Sequence, residues 1–198
     1  MTLVLTVDPL LIGPFALLRP WAMSMQCKRF ATTGGNTQTK VQSDASVLDP
    51  VGITTDTAHL HDAIHGYGPL RPIIVMAHSR GCQIVGRWLE KHADDAGALS
   101  PDLLSFVLLG NPERGVSHGA RAGQKYLDGS PLRDTPTTTR YQVLDVARRG
   151  DYFAQPVPDI NVFMAQWIHC WYLGVDLYDP GAALSRDVVG NTTYWVVP

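Results

Sequence analysis

A serine becomes a nucleophile when its hydroxyl is held exposed beside a proton acceptor and beside donors that can receive an oxyanion. The segment Ile73-Ile74-Val75-Met76-Ala77-His78-Ser79-Arg80-Gly81-Cys82 has the residue types for the first condition. An apolar strand runs into a small-x-Ser-x-Gly turn, with Ala77 in the first small place, and a helical pattern follows at once. The turn is so tight that its flanking positions must be small. Its serine is then held in a strained conformation at a strand end. Ser79 is therefore the candidate nucleophile. The next backbone N–H, that of Arg80, is the candidate oxyanion donor. The alternative reading is an ordinary buried turn with an incidental serine.

The surrounding residues read as the elements such a turn needs. Pro69 and Pro72 bound the strand, and Cys82, Val85, Trp88 and Leu89, with Ile84 beside them, give the following helix its buried face. Leu3 to Val7 reads as a first core strand, and residues 31–46, rich in Thr, Gly, Gln and Ser, as a long loop. Residues 55–65 read as a helix with Thr54 or Thr55 as N-cap and Gly66 as its stop. Residues 103–109 and 141–146 are further apolar strands. Ile160, Phe163, Met164, Trp167, Ile168, Trp171 and Tyr172 mark an amphipathic helix with that stripe toward the core and Gly174 as its stop. A last short strand is expected within 191–197. Uninterrupted apolar strands alternating with helices imply an α/β domain with a parallel sheet, whose chemistry sits at the carboxyl ends of the strands. Ser79, Asn111 and Asp151 all fall just past strand ends.

The 198 residues are most simply one domain, residues 1–198, and the 45% apolar content excludes a wholly disordered chain. A net charge of −2 gives no nucleic-acid footprint. Cys27, Cys82 and Cys170 have no metal-ligand or disulfide-framework spacing. The apolar N-terminus lacks a leading basic residue and is broken by Asp8, Pro9 and Pro14, so no signal peptide and no membrane span are expected. His61 and His65 have the i, i+4 spacing of a two-histidine zinc site, with His59 nearby. No third ligand is evident in the sequence, so a solvated helix face is expected there and no metal or cofactor.

Three segments in register resemble the cutinase-like serine esterases, and most closely the lysin B esterases of mycobacteriophages. The PE-PPE hydrolase domain is a related, weaker likeness. The segments are the turn with its helix (73–92), Phe106-Val107-Leu108-Leu109-Gly110-Asn111-Pro112-Glu113-Arg114, and Arg149-Gly150-Asp151-Tyr152-Phe153-Ala154. Asp134-Thr135-Pro136 also fits. The resemblance implies an α/β-hydrolase fold of the cutinase-like kind, with a mostly parallel central sheet flanked by helices. It implies ester hydrolysis with the order Ser…Asp…His, Ser79 being the nucleophile and Asp151 the orienting acid. Asn111 would support the site, Arg114 would anchor the long loop, and lipid-linked or mycolyl-type esters would be the substrates. Asp151 also reads simply as a turn-capping aspartate after glycine.

The chain departs from this pattern in two places. Its one histidine after Asp151 is His169. His169-Cys170-Trp171-Tyr172 is similar to the cutinase His-x-x-Tyr, which makes His169 the candidate base, yet it lies opposite the apolar stripe of its helix, where a surface histidine is the alternative. In lysin B the histidine comes close to the C-terminus, and the equivalent tail here offers only Thr192, which cannot act as a general base. The second departure is the turn after the first strand. Asp8-Pro9 stands where the family carries an oxyanion donor, and Thr32-Thr33-Gly34-Gly35 is the possible substitute. His78 reads as the variable residue of the turn. Two functions follow from these residues. One is a serine esterase. The other is a retired lysin B-like fold serving as a phage capsid or tail component among other phage structural proteins, in the host cytoplasm or the virion.

Overall fold

A computed structural model describes residues 1–10, 22–43, 50–68, 70–126, 129 and 131–198. Pro69, the apolar stretch from Leu11 to Leu18, and the last three positions of the loop expected over 31–46 lie outside them. The described chain forms β1 (Thr2–Val7), α1 (Ala22–Arg29), β2 (Asn36–Lys40), α2 (Pro50–Tyr67), β3 (Ile73–His78) and α3 (Arg80–His92). It continues with β4 (Leu104–Leu109), β5 (Gln142–Arg148), α4 (Val162–Cys170), β6 (Ser185–Val189) and β7 (Thr192–Val197).

The strands make one seven-stranded sheet in the order β2-β1-β3-β4-β5-β7-β6. Every described pairing is parallel except the edge pair β6–β7. The central strands are apolar at consecutive positions because both faces are covered. Leu3, Leu5, Ile73, Val75, Leu104 and Phe106 point to one side, where Leu60 and Ile64 of α2 and Val85, Trp88 and Leu89 of α3 bury them. Val4, Met76, Val107, Leu109 and Val146 point to the other, against Met23, Cys27, Phe30, Tyr172 and Val175. This is the α/β architecture that the strand pattern implies.

Several local expectations change. Residues 36–40, expected as loop, are an edge strand, β2, paired with β1 from Thr2↔Asn36 to Thr6↔Lys40. Asn-Thr-Gln-Thr-Lys carries no apolar signal because the strand is only half-buried, and the backbone ladder to β1 holds it instead. The helix expected over 55–65 runs from Pro50 to Tyr67, so Thr54 and Thr55 lie within it and Gly66 does not stop it. The cysteines are free thiols.

The largest correction concerns α4. It spans Val162–Cys170, ends well before Gly174, and has turned its expected core stripe largely outward. Phe163 is 90% exposed, and Met164 and Trp167 are more than half exposed. Ala165 and His169, one turn apart, face inward. Apolar periodicity gave the wrong face because α4 caps the carboxyl ends of the strands rather than lying on the sheet. Of the stripe, Tyr172 enters the core beyond the helix, and Ile160 and Ile168 pack on the turn at Gly150.

Candidate active site

Ser79 sits between β3 and α3 with φ 53° and ψ −117°, a conformation that a residue bearing a Cβ adopts only at a cost of about 1–3 kcal/mol. Two features hold it there. Ser79 N–H donates to Leu109 O at 3.0 Å, tying the turn to the end of β4. Gly81 lies so close to the end of β1 that an added Cβ would stand 2.6 Å from Val7 O. That contact is the physical reason for the glycine. Arg80 opens α3, so its backbone N–H has no intrahelical acceptor and lies at the positive end of the helix dipole. Its side chain turns away and makes a 2.7 Å ion pair with Asp56 of α2, both groups buried. The guanidinium therefore ties the turn to its neighbouring helix.

His169 Nε2 lies 2.8 Å from Ser79 Oγ, and His169 Nδ1 lies 3.0 Å from each carboxylate oxygen of Asp151. Ser79, His169 and Asp151 thus form one hydrogen-bonded chain, supplied by the ends of β3 and β5 and by α4. Ser79 remains half-buried, while Asp151 is fully enclosed. The inward turn of α4 brings the imidazole into this chain, where its helical position alone suggested the surface. The N-cap bond from Met164 N–H to Asn161 Oδ1 and the bond from Tyr152 N–H to Ala165 O fix the helix against the Asp151 loop.

Asp151 caps its turn and also faces His169. Its Oδ1 caps the turn by accepting from Phe153 N–H and Ala154 N–H, each at 2.9 Å. Its Oδ2 accepts from the Tyr172 hydroxyl at 2.7 Å. Burial alone would raise its pKa. The His169 charge and these donated hydrogen bonds outweigh that and hold it down to about 2, so it is ionised at neutral pH. Tyr172 is held in turn by Arg148 N–H, which donates to its oxygen at 3.1 Å.

His78 has more to do than fill a variable place. It is buried, and its Nε2–H donates to His169 O at 2.7 Å. Burial, with the nearby His169, lowers its pKa to about 3, so it stays neutral and acts as a donor. It fixes the backbone of α4 at the imidazole. The Phe153 ring meets the His169 ring edge-on at 4.7 Å from the other side of the site.

The Gly-Asn-Pro turn also has a stated cause. Gly110 has φ +55°, and a Cβ there would come within 3.0 Å of both Asp151 Oδ2 and His169 Nδ1. Asn111, the next residue, is buried. Its Nδ2 donates to Asp145 Oδ2 at 2.7 Å and to Thr135 Oγ1 at 3.0 Å, and its Oδ1 accepts from Glu113 N–H. Arg114 is buried rather than solvated, paired with Asp145 at 3.5 Å and reaching Trp195 O.

Two expected alternatives lie at the wrong edge of the sheet. Thr192 begins β7 opposite Val143, near the start of β5, whereas Ser79 and Asp151 stand past the ends of their strands. Gly34 and Gly35 precede β2, whose first residue pairs with Thr2. Neither reaches the carboxyl edge. At Asp8-Pro9, Asp8 is buried and ion-paired with Lys40. Pro9 offers no N–H. Residues 11–21 lie outside the described set.

The overall fold has a counterpart among solved structures. A cutinase-like protein from Cryptococcus sp. superposes with a TM-score of 0.56 at 16% identity, over 87% of this chain and 89% of that one. The fold is that of the α/β-hydrolases. A Trichoderma reesei cutinase in complex with a phosphonate inhibitor matches at TM-score 0.49 and 18% identity, over 87% of this chain and 69% of that one. A metagenomic carboxyl esterase matches at 0.45 and 13%, over 74% of this chain and 49% of that one. No protein-family model and no curated protein sequence matches the chain. Among the described residues no helix is long and apolar enough to cross a membrane.

Proposed function

We propose that the protein is a serine carboxylic-ester hydrolase with Ser79 as nucleophile, His169 as general base and Asp151 as orienting acid. The observation that carries this reading is the continuous chain from Ser79 Oγ through His169 to Asp151, at 2.8 and 3.0 Å. Those distances are within the reach that proton transfer requires. In the acylation step Ser79 Oγ attacks the ester carbonyl carbon and its proton passes to His169 Nε2. The carbonyl oxygen takes the negative charge, facing the Arg80 N–H at the start of α3. Collapse expels the alcohol, which leaves with the proton from His169. Water then attacks the acyl-serine, gives a proton to His169, and releases the carboxylic acid as Ser79 recovers its proton. Asp151 stays ionised throughout and stabilises the imidazolium.

The substrate class that best fits is a lipid-linked or cell-wall ester, mycolyl-type esters included, on the strength of the three segments that resemble lysin B. Turnover of p-nitrophenyl esters of increasing acyl length tests both parts. The expected result is hydrolysis that Ser79→Ala and His169→Ala abolish, with longer chains preferred. Equal rates in wild type and Ser79→Ala would refute the enzyme. Activity confined to acetate would refute the lipid class alone.

A second reading, a retired fold working as a phage virion component, draws support from Asp8-Pro9, where an oxyanion donor would be needed. It requires a chain that is unreactive toward esters and is recovered from particles.

A further inference from the structure

The histidines of α2 lacked a third ligand in the sequence, and the fold supplies one from the neighbouring helix. α2 and α3 pack side by side, which brings His92, the last residue of α3, onto the ring of His61. The two ring centroids are 4.1 Å apart, and the His65 ring lies equally close to His61. Asp95, in the turn after α3, joins them. One ligand atom from each of His61, His92 and Asp95 lies within 4.8 Å of the others.

We propose that His61, His92 and Asp95 bind a divalent transition-metal ion of the zinc class. The site clamps α2 to the end of α3. Two observations point to an ion. His61 Nδ1 is a buried nitrogen with no hydrogen-bond partner, which leaves a lone pair or a proton unsatisfied. His92 Nδ1 and Asp95 Oδ2 already stand 2.7 Å apart, sharing a proton that an ion held between the two would replace.

Imidazoles with one carboxylate suit zinc, nickel or copper, and not magnesium or calcium, which take oxygen ligands. Zinc bonds of about 2.0–2.1 Å hold tetrahedral ligands about 3.3 Å apart, so donors that stand as far as 4.8 Å from one another close by about 1.5 Å through side-chain rotation. Asp95 is exposed and His61 and His92 are half-buried, so rotation and ion entry are both open. His92 stands twelve residues along α3 from Arg80, roughly 18 Å at 1.5 Å per residue, so the ion would not touch the ester site.

The test uses the untagged full chain stripped with EDTA and titrated with zinc chloride, with magnesium chloride as control. The expected result is one zinc per chain and no magnesium. At a hundredfold excess over Kd the linkage is worth about 2.7 kcal/mol. That corresponds to a melting temperature raised by roughly 5–10 °C for a chain of this length. His61→Ala and His92→Ala should lose both the binding and the rise, while His59→Ala and Ser79→Ala keep them. Cobalt(II) absorbance gives a second readout, an imidazole-bound d–d band that is absent in His92→Ala. No saturable zinc binding overturns the proposal, and so does binding unchanged in His92→Ala. Circular dichroism and metal-free melting of each variant separate lost ligation from lost folding.

Discussion

Replacing Asp151 by asparagine changes one atom of the site, and the surrounding hydrogen bonds decide which way the new amide must face. Oδ1 already accepts two backbone N–H groups, from Phe153 and Ala154 at 2.9 Å each, which occupy both of its lone pairs. The amide oxygen of the variant must stay there, because an NH2 group against two N–H donors would leave all of them unsatisfied. The NH2 then takes the place of Oδ2, 3.0 Å from His169 Nδ1 and 2.7 Å from the Tyr172 oxygen. Oδ1 also lies 3.0 Å from Nδ1, but its lone pairs are taken by the two backbone donors, so with an N–H facing Nδ1 the ring carries its proton on Nε2. An N–H, rather than a lone pair, then meets Ser79 Oγ across the 2.8 Å contact. The base is present and in place but in the wrong tautomer. A wrong tautomer in a serine triad costs about 10⁴ in kcat, or roughly 5.4 kcal/mol at 1.36 kcal/mol per decade. The assay is kcat for a p-nitrophenyl ester in wild type and Asp151→Asn, with thermal melts showing that both are folded. A loss smaller than about tenfold in a folded variant would refute the reasoning, because the carboxylate would not then be setting the imidazole.

Asp151 also makes stability depend on pH. Its folded pKa of about 2 lies below the ordinary 3.8, so its contribution is fully present above about pH 4 and lost as pH falls toward 2. The size is on the order of 2 kcal/mol, and urea unfolding from pH 6 to pH 2.5 should fall more steeply in wild type than in Asp151→Asn; parallel curves would contradict it. Gly110→Ala puts a Cβ within 3.0 Å of both Asp151 Oδ2 and His169 Nδ1 at φ +55°. A misplacement approaching 1 Å is worth about 10²-fold in rate, and kcat should fall by roughly that factor while ester turnover at wild-type rate would refute the packing argument. Phe163→Ser, on the exposed side of α4, should change unfolding free energy by no more than about 0.5 kcal/mol. A loss of several kcal/mol in denaturant titration would return that face to the core.

The parts of this molecule that were legible in the sequence are those whose cause is local. Ala77-His78-Ser79-Arg80-Gly81 is readable because a tight strand-to-helix turn dictates its own small residues, and the contact of Gly81 with Val7 O shows the constraint at work. The central strands are readable because burial on both faces demands apolar runs. Gly110 and Gly150 were visible as motif letters, but their reason lies in contacts with residues distant in sequence: Asp151 and His169 for the first, and Ile160 and Ile168 for the second. β2 was not legible, since a polar edge strand is held by its neighbour's backbone. The face of α4 was misread for a related reason. Periodicity assumes that the apolar side of a helix meets the core, whereas α4 is held by the bonds of His169 to Ser79 and Asp151, by His78 on its carbonyl and by its N-cap. His78 itself could be found only in three dimensions, because its partner is ninety-one residues away.

The central claim is that Ser79 is an activated nucleophile, and its own reactivity tests this most directly. A fluorophosphonate probe reacts with a serine whose hydroxyl is deprotonated by a neighbouring base, and intact-mass and peptide mass spectrometry locate the adduct. The account predicts one stoichiometric adduct on Ser79, abolished in Ser79→Ala and slowed strongly in His169→Ala. A folded wild-type protein that remains unlabelled, or one labelled elsewhere to the same extent in Ser79→Ala, would contradict it.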